Sequence, residues 1–179
     1  MNLIVAVDNN WGIGFKDRLL FRIHEDLKRF RALTIGKTVI LGRRTLMTFP
    51  GGRPLERRMN IVMTRDKHFR AEPAWICHSL EQLGRFLYNI PDDGIFVIGG
   101  ASIYEQFLPY CRTAYVTRIE QSAEADRYFP DLDRQDGWSL ISCQDYISLD
   151  AQVEGRDEQV ELQYSFCVYE QEKPRRLFL

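Results

Sequence analysis

Short, unbroken apolar runs separated by helical segments restrict what this chain can fold into more than any other feature. The runs span residues 3–7, 38–41, 60–63, 75–77, 95–98 and 114–117. They are continuous rather than alternating, which is typical of strands covered on both faces in a parallel sheet. Helices are expected between most of them, at about 24–35, 43–48, 79–88 and 100–108. This alternation predicts an α/β fold with a mostly parallel central β-sheet flanked by helices.

The C-terminal part of the chain follows a different pattern. Apolar and polar residues alternate from residue 160 to 169, which is typical of a half-exposed antiparallel strand. We expect it to pair with residues 138–147 as a C-terminal antiparallel hairpin, with the polar, acidic residues 148–159 as a loop. The chain then forms a single domain, residues 1–170, and a tail, residues 171–179, of which 173–179 is loosely held.

The charge balance argues against a polyanionic partner. With 24 basic and 25 acidic residues, a broad footprint for nucleic acid or an anionic membrane is not expected. No stretch approaches transmembrane length, and the N-terminus reads directly as a strand without a leader. The cysteines Cys77, Cys111, Cys143 and Cys167 form no CxxC pair, so they are expected to be reduced packing residues without metal. These features predict a cytoplasmic monomer.

One carboxylate interrupts the apolar face of the predicted helix at 24–35. Ile23, Leu27 and Phe30 follow helical spacing, and Asp26 falls among them. Asp26 either caps its own helix, meets an internal arginine, or has a function. The helix dipole favours the anion by about 0.3–1 kcal/mol, whereas full burial raises a carboxyl pKa by about 3–5 units. We therefore expect the pKa of Asp26 to be raised.

Three of the predicted strands end in residues suited to anions. Residues 95–98 run into Gly99-Gly100, residues 38–42 into Arg43-Arg44-Thr45, and residues 60–63 into Thr64-Arg65. The carboxyl ends of parallel strands share one rim, where ligands of open α/β sheets bind. A glycine pair alone is equally compatible with a tight turn, and each basic cluster alone with a solvated surface. Together they suggest a ligand with separated phosphates, such as a dinucleotide carrying a ribose phosphate.

Taken together, these segments resemble dihydrofolate reductases along nearly the whole chain. The matching stretches are residues 3–7, 11–14 (WGIG), 25–27 with Phe30, 39–45, 53–55, 60–64, 97–109 (VIGGASIYEQFLP), 115–119, Asp126 and 129–130. The glycine-pair stretch and the GRRT stretch are the most specific. Their order and spacing make coincidence a poor explanation.

The resemblance implies reduction of 7,8-dihydrofolate to 5,6,7,8-tetrahydrofolate, with hydride transfer from NADPH to C6 and protonation of N5. Asp26 would bind the pterin ring nitrogen and amino group, with water delivering the proton. Thr117 would donate a hydrogen bond to Asp26, and Leu19 would complete the catalytic set. No metal is implied, and dihydrofolate would be the small-molecule substrate.

The same resemblance implies two sets of ligand contacts. The substrate contacts are Ile4, Ala6, Asp26, Leu27, Phe30, Phe49, Leu55, Arg58, Ile98, Tyr104 and Thr117. The cofactor contacts are Ala6, Ile13, Gly14, Leu19, Gly42, Arg43, Arg44, Thr45, Met63, Thr64, Arg65, Gly99, Gly100, Ala101, Ser102, Ile103 and Tyr104. Arg58 would pair with the glutamate carboxylate and is favoured over Arg57 by its offset from Asn60. Segment 9–23 would be a mobile loop over the nicotinamide.

Three residues, at two places in the chain, depart from the family pattern. Leu20-Phe21 stands where family members usually have Pro-Trp, and phenylalanine cannot donate a hydrogen bond to an ordered water near the pterin. Hydride transfer should survive, with substrate positioning and proton supply affected and turnover lowered. Arg127 follows Asp126 where a small hydroxyl residue is often found.

Two other functions remain open at this point. A related pyrimidine reductase of riboflavin synthesis shares the architecture; Asp26 and Arg58 argue against it, because its substrate lacks a glutamate tail, while Phe21 leaves it open. A nucleotide-binding regulatory protein that has lost catalysis would bind NADPH without turnover. The retained Asp26 argues against that second alternative.

Overall fold

A central β-sheet of nine strands organises the molecule, and three further short strands form a second sheet. The structure is a computed structural model that describes residues 1–156 and 158–177. Its strands are β1 (Asn2–Val7), β2 (Gly12–Phe15), β3 (Arg18–Leu19), β4 (Phe21–Arg22), β5 (Thr38–Gly42), β6 (Met59–Met63), β7 (Trp75–Cys77), β8 (Ile95–Gly99), β9 (Thr113–Ile119), β10 (Arg127–Tyr128), β11 (Trp138–Val153) and β12 (Gln159–Gln171). Its helices are α1 (His24–Thr34), α2 (Arg43–Thr48), α3 (Leu80–Leu87) and α4 (Ala101–Phe107).

The strand order in the large sheet is β4-β11-β12-β9-β1-β8-β5-β6-β7. Strand β1 pairs in parallel with β8 and β9, and β5, β6, β7 and β8 also pair in parallel with their neighbours. Strands β11 and β12 add the antiparallel part. The predicted mostly parallel sheet with a C-terminal hairpin is therefore confirmed.

The central strands are buried on both faces, as their continuous apolar runs predict. On β1, Leu3 and Val5 face one core cluster together with Val97, whereas Ile4 faces another with Ile98. Successive side chains of a strand point to opposite faces, so an unbroken apolar run supplies both layers. None of the described helices is long and apolar enough to span a bilayer.

The C-terminal hairpin is longer than expected. Residues 148–159 were expected to be a loop, but β11 continues to Val153 and β12 begins at Gln159. Ala151 and Val153 are buried, and Val153 pairs with Phe21 of β4. A register shift between Ser148 and Ala151 interrupts the period of two, which is why the sequence pattern concealed this part of the strand.

The segment after β12 is attached rather than loose as far as the structure describes it. The backbone N–H of Arg175 donates to the carbonyl of Pro109 at 2.8 Å, and Leu177 packs against the main core cluster. The last two residues of the expected tail, 178 and 179, lie outside the described residues, as does residue 157 of the expected loop.

The hairpin brings two of the four cysteines together. Cys143 and Cys167 lie opposite each other in the register of β11 and β12, with Cα atoms 4.1 Å apart, so their sulfur atoms are adjacent. Sequence spacing without the strand register could not show this pairing, and the expectation that the two are reduced stays a prediction. Cys77 and Cys111 are free and buried. Burial raises the pKa of these thiols to about 11 and about 12, so both stay protonated.

Candidate active site

Asp26 lies in the first turn of α1, and its carboxyl group is turned toward the sheet. The N-cap position, Ile23, has no side-chain cap, and Asp26 Oδ1 accepts a hydrogen bond of 2.5 Å from Thr117 Oγ1 on β9. The predicted Thr117–Asp26 hydrogen bond is thus present, and the alternative that Asp26 caps its own helix is wrong. Thr117 is fully buried, so the pair forms at the bottom of the groove between α1 and the sheet.

The electrostatic environment of Asp26 favours the neutral acid. Burial raises the pKa of the Asp26 carboxyl, while the Thr117 hydrogen bond and the positive charge of Arg29 lower it by smaller amounts. The predicted raised pKa is therefore confirmed in direction. A carboxyl held in this balance can change protonation when a charged ring binds beside it.

An apolar wall lies next to this carboxyl group. Five of the residues expected to contact substrate belong to one cluster on the α1 side of the sheet: Ile4, Phe30, Phe49, Leu55 and Ile98. Leu27, which follows Asp26, remains 41% exposed, and Ala6 pairs with Thr117 in the β1–β9 register. An apolar surface with one buried carboxyl suits a flat, largely apolar ring that carries a few polar edge groups.

Arg58 is held at the far end of α1. Its Nε donates to the Glu56 carbonyl at 2.9 Å and its Nη1 to Thr34 Oγ1 at 3.2 Å. Asn60 fixes the turn, donating to the carbonyls of Leu55 and Arg58. Burial lowers the pKa of Arg58. Arg57 instead takes a positive φ of 57° and is exposed, so of the two neighbours it is Arg58 that contacts the end of α1.

The predicted rim of strand ends is formed by three adjacent strands. Gly42 lies opposite Met63, and Leu41 opposite Gly99, in the registers of β5 with β6 and β8. A Cβ added at Gly42 would lie 3.1 Å from Ile103 Cγ1, and one at Gly100 would lie 3.2 Å from Thr45 Oγ1. The starts of α2 and α4 are therefore packed against each other, and both adjoin the end of β6.

The charges on this rim are unequal. Arg43 forms an ion pair of 3.2 Å with Asp66, whereas Arg44 and Arg65 are exposed and make no ion pair within the described parts of the chain. His78, which the sequence reasoning missed, lies with Nδ1 2.9 Å from the Thr64 carbonyl. Arg44 and Arg65 are thus the two cations best able to meet an anion here. Met63, Ala101 and Ser102 complete the predicted set at these strand and helix junctions.

Tyr104 lies behind the glycine pair. Its hydroxyl donates to the Ile4 carbonyl at 2.7 Å, and burial raises its pKa above the ordinary range. Gly99 has a φ of +107°, and a Cβ there would be 2.8 Å from Tyr104 Cε2. Gly99 must therefore be glycine for the backbone to pass so close to this ring.

The segment expected to be a mobile loop contains a hairpin. Strands β2 and β3 meet at Lys16 and Asp17, which both have positive φ, as a tight two-residue turn requires. Strand β10 pairs with β2, and the Asp126 N–H donates to the Gly14 carbonyl at 3.0 Å. Leu19 is 56% exposed at the end of this hairpin, with Ile13 and Gly14 partly buried in β2.

Phe21, at the position that departs from the family pattern, is buried in β4. It belongs to a cluster with Leu20, Ile119, Leu162 and Tyr164 between the start of α1 and the C-terminal hairpin. The Phe21 ring packs within this cluster. Because it carries no polar atom, it needs no hydrogen-bond partner there.

Comparison with known proteins shows which of them share this sequence pattern and fold. A family model described as dihydrofolate reductase matches residues 1–171. The dihydrofolate reductase of Staphylococcus haemolyticus is 35% identical over 170 residues, covering 95% of each chain. That of Bacillus subtilis (strain 168) is 32% identical over 170 residues, covering 95% of this chain and 94% of the relative. A solved structure of dihydrofolate reductase from Enterococcus faecalis, complexed with NADP(H) and RAB-propyl, matches with a TM-score of 0.79 and 27% identity over 96% of both chains.

Proposed function

This chain belongs to the dihydrofolate reductase family, and we propose that it reduces 7,8-dihydrofolate to 5,6,7,8-tetrahydrofolate with Asp26 as the ionisable group facing the pterin. It is an oxidoreductase of one-carbon metabolism. The observation that carries the role of Asp26 is its position: a carboxyl turned inward, bonded to the buried Thr117 and bordered by an apolar wall. The reaction adds a hydride to C6 and a proton to N5, across the N5=C6 double bond.

Asp26 acts by orientation and charge. Its carboxylate accepts hydrogen bonds from the pterin ring nitrogen and amino group, which sets the ring in the groove. In this poorly solvated place a negative charge favours the cation that forms when N5 takes up a proton. Thr117 holds one carboxylate oxygen, so the other is presented to the ring. Water brings the proton, because the carboxylate contacts the opposite edge of the pterin.

The groove positions the rest of the substrate. Phe30, Leu55 and Phe49 form the wall against which the pterin and aminobenzoyl rings pack. Arg58 pairs with the glutamate carboxylate at the outer end, since the bonds to Thr34 and Glu56 fix its planar guanidinium. The apolar wall buries the rings, and the two charged residues, Asp26 and Arg58, fix the direction of the substrate.

The rim of β5, β6 and β8 suits the cofactor NADPH. Gly42 and Gly100 let the starts of α2 and α4 approach each other closely at this rim. Arg44 and Arg65 offer positive charge that makes no ion pair within the described parts of the chain. Thr45, Thr64, Arg44 and Arg65 would hold the adenosine phosphates, and Gly99 to Ile103 would line the pyrophosphate and nicotinamide region. When bound, NADPH supplies the hydride. Leu19 and Ile13 of the β2–β3 hairpin would exclude water from that region.

Other expectations stay predictions. They are that the enzyme is a cytoplasmic monomer without nucleic-acid or membrane partners, that its domain ends at residue 170, and that segment 9–23 moves during the reaction. Family membership disfavours a pyrimidine reductase. A non-catalytic nucleotide-binding protein is disfavoured by the retention of Asp26 in the groove.

Replacing Asp26 with Asn tests the proposed role. The change keeps the size of the side chain and an oxygen for Thr117, but removes the charge. We expect kcat/KM for dihydrofolate at pH 7 to fall by at least about 100-fold, with NADPH binding unchanged. Glu25→Gln, an exposed change of the same kind on the same helix, is the matched control. Parental turnover in the Asp26→Asn variant would refute the assignment.

Replacing Arg44 with Ala tests the cofactor assignment. Losing one charge-assisted hydrogen bond to a phosphate costs about 1.5–3 kcal/mol, so KM for NADPH should rise by roughly ten-fold or more, while KM for NADH should change little. Arg85→Ala, which removes an exposed arginine from α3, is the control. An equal rise for both cofactors would contradict a contact with the ribose phosphate.

A further inference from the structure

Arg29 lies one helical turn beyond Asp26 on α1 and rests on the sheet beside it. The guanidinium carbon is 4.3 Å from the centre of the Phe166 ring and 5.7 Å from that of Tyr115. Phe166 lies opposite Thr117 in the β12–β9 register, and Tyr115 precedes Thr117 by two residues, on the same face of β9. The cation therefore rests on the patch of sheet whose hydroxyl binds the Asp26 carboxylate.

One guanidinium nitrogen of Arg29 has no hydrogen-bond partner. This nitrogen, Nη1, is buried without an acceptor among the residues that the structure describes. Guanidinium groups are weakly hydrated and stack on aromatic faces, so Phe166 can hold the group where an ammonium would be costly to bury. Asp26 supplies the carboxylate charge that acts on Arg29 from nearby.

The surroundings of the pair are otherwise aromatic. The titratable groups that act on Arg29 are Asp26, Tyr115 on β9 and Tyr146 on β11. Those beside Asp26 are Arg29, Tyr104 on α4 and Tyr164 on β12. Tyr164 also faces Glu25. Tyrosines are neutral at physiological pH. The interaction of Arg29 with Asp26 is therefore the main attraction between opposite charges in this part of the groove.

We propose that Arg29 is a positioning residue that acts through Asp26, stabilising the negative carboxylate that the pterin must meet. The proposal rests on the role of Asp26 proposed above. Arg29 does not form a direct ion pair with Asp26, so it leaves the carboxylate oxygens to Thr117 and the substrate. Its charge acts through space in a poorly solvated groove. Arg29 therefore opposes the rise in the Asp26 pKa that burial causes, without occupying the place where the substrate binds.

The direction of the effect follows from the charges. Burial raises the pKa of Asp26, and the Arg29 charge lowers it. Removing that charge should therefore raise the pKa further. The negative carboxylate is the form that the pterin meets, so the rate should fall as pH is lowered through the pKa of Asp26. Loss of the Arg29 charge should move this acidic limb of the pH profile to higher pH.

The test compares Arg29→Met with Lys28→Met, the same change at the next residue, which faces solvent. Carbon-13 NMR of labelled aspartate, with the Asp26 signal identified by its loss in Asp26→Asn, gives the titration midpoint in the ligand-free protein. We expect Arg29→Met to raise the midpoint by about 0.5–1 pH unit and Lys28→Met to leave it near the parental value.

Single-turnover reduction of dihydrofolate gives a second readout. The acidic limb of the pH profile should shift to higher pH by the same amount, so that Arg29→Met reduces substrate about 3–10 times more slowly than the parent at pH values below the parental limb and at the parental rate well above it. A residue that only supported the fold would lower the rate at every pH. Arg29→Gln serves as a second uncharged variant if methionine at this position impairs folding.

An unchanged Asp26 midpoint in a folded Arg29→Met or Arg29→Gln variant would overturn the proposal, as would an equal shift in Lys28→Met. Its failure can be separated from a failure of the Asp26 assignment. If Asp26→Asn is inactive and the midpoint does not move, only the role of Arg29 is wrong. If Asp26→Asn retains parental turnover, the assignment of Asp26 is wrong and the proposal, which depends on it, falls as well.

Discussion

Asp26 is placed where burial suits the reaction but opposes folding. Its pKa is raised above the ordinary value of 3.8, with burial as the largest cause. Between 3.8 and the raised value, the folded state binds the proton more tightly than the unfolded chain does. Stability from this group is therefore complete below pH 3.8 and is lost as pH rises through the folded pKa. Above the folded-state pKa the protein carries the full cost of the anion.

Asp26→Asn should consequently stabilise the folded protein at pH 8. Asparagine keeps an acceptor for Thr117 but needs no buried charge, so the free energy of unfolding should increase. Urea denaturation at pH 8 measures the change, and the difference from the parent should shrink as pH is lowered toward 4. Glu25→Gln should show no such pH-dependent gain. A less stable Asp26→Asn protein at pH 8 would contradict this account.

At the scale of single residues, helical spacing was sufficient to predict that Asp26 points inward and that its pKa is raised. The bond to Thr117 and the position of Arg58 came from the family resemblance. Arg29 was not foreseen, because its placement depends on the register between β9 and β12. No local pattern shows that Phe166 lies opposite Thr117, since those residues are separated by a long stretch of chain.

The junction of β8 and α4 depends on glycine in two ways. Gly99 has φ of +107°, and a side chain would also collide with Tyr104. Gly99→Ala should lower the free energy of unfolding by about 2–4 kcal/mol and disturb the bond from Tyr104 to Ile4. Gly137 has φ of +81° with nothing within 4 Å of an added Cβ, so Gly137→Ala should cost only about 1–2 kcal/mol. Chemical denaturation of both variants separates the cost of backbone strain from the cost of the collision with Tyr104. Equal losses of stability in the two variants would show that the Tyr104 contact is unimportant.

Elements with continuous apolar runs were predictable to within a few residues, as β7 and β8 illustrate. The β2–β3 hairpin was not, because its strands are short and its turn residues, Lys16 and Asp17, lack the glycine that usually marks such a turn. The extension of β11 to Val153 was missed for another reason. The bulge after Ser148 shifts which residues face inward, so the alternation breaks where the strand continues.

The strand order interleaves distant parts of the chain across the whole molecule. Strand β1 lies between β8 and β9, and β4 pairs with β11. No contiguous half of the chain can therefore complete a sheet by itself. We expect thermal unfolding in a single cooperative step, with calorimetric and van't Hoff enthalpies in agreement, and a higher midpoint in the presence of NADPH. Two resolved transitions would contradict the single-domain interpretation.

Synthesis from the N-terminus delivers the two sides of the groove at different times. The strand pairing of Phe21 with Val153 and the packing of Arg29 on Phe166 join the start of the chain to its last strands. At about 5–20 residues per second on the ribosome, Asp26 emerges on the order of ten seconds before Phe166. The nascent reductase must therefore remain inactive until β12 has been synthesised, and until then α1 lacks the strand that supports Arg29.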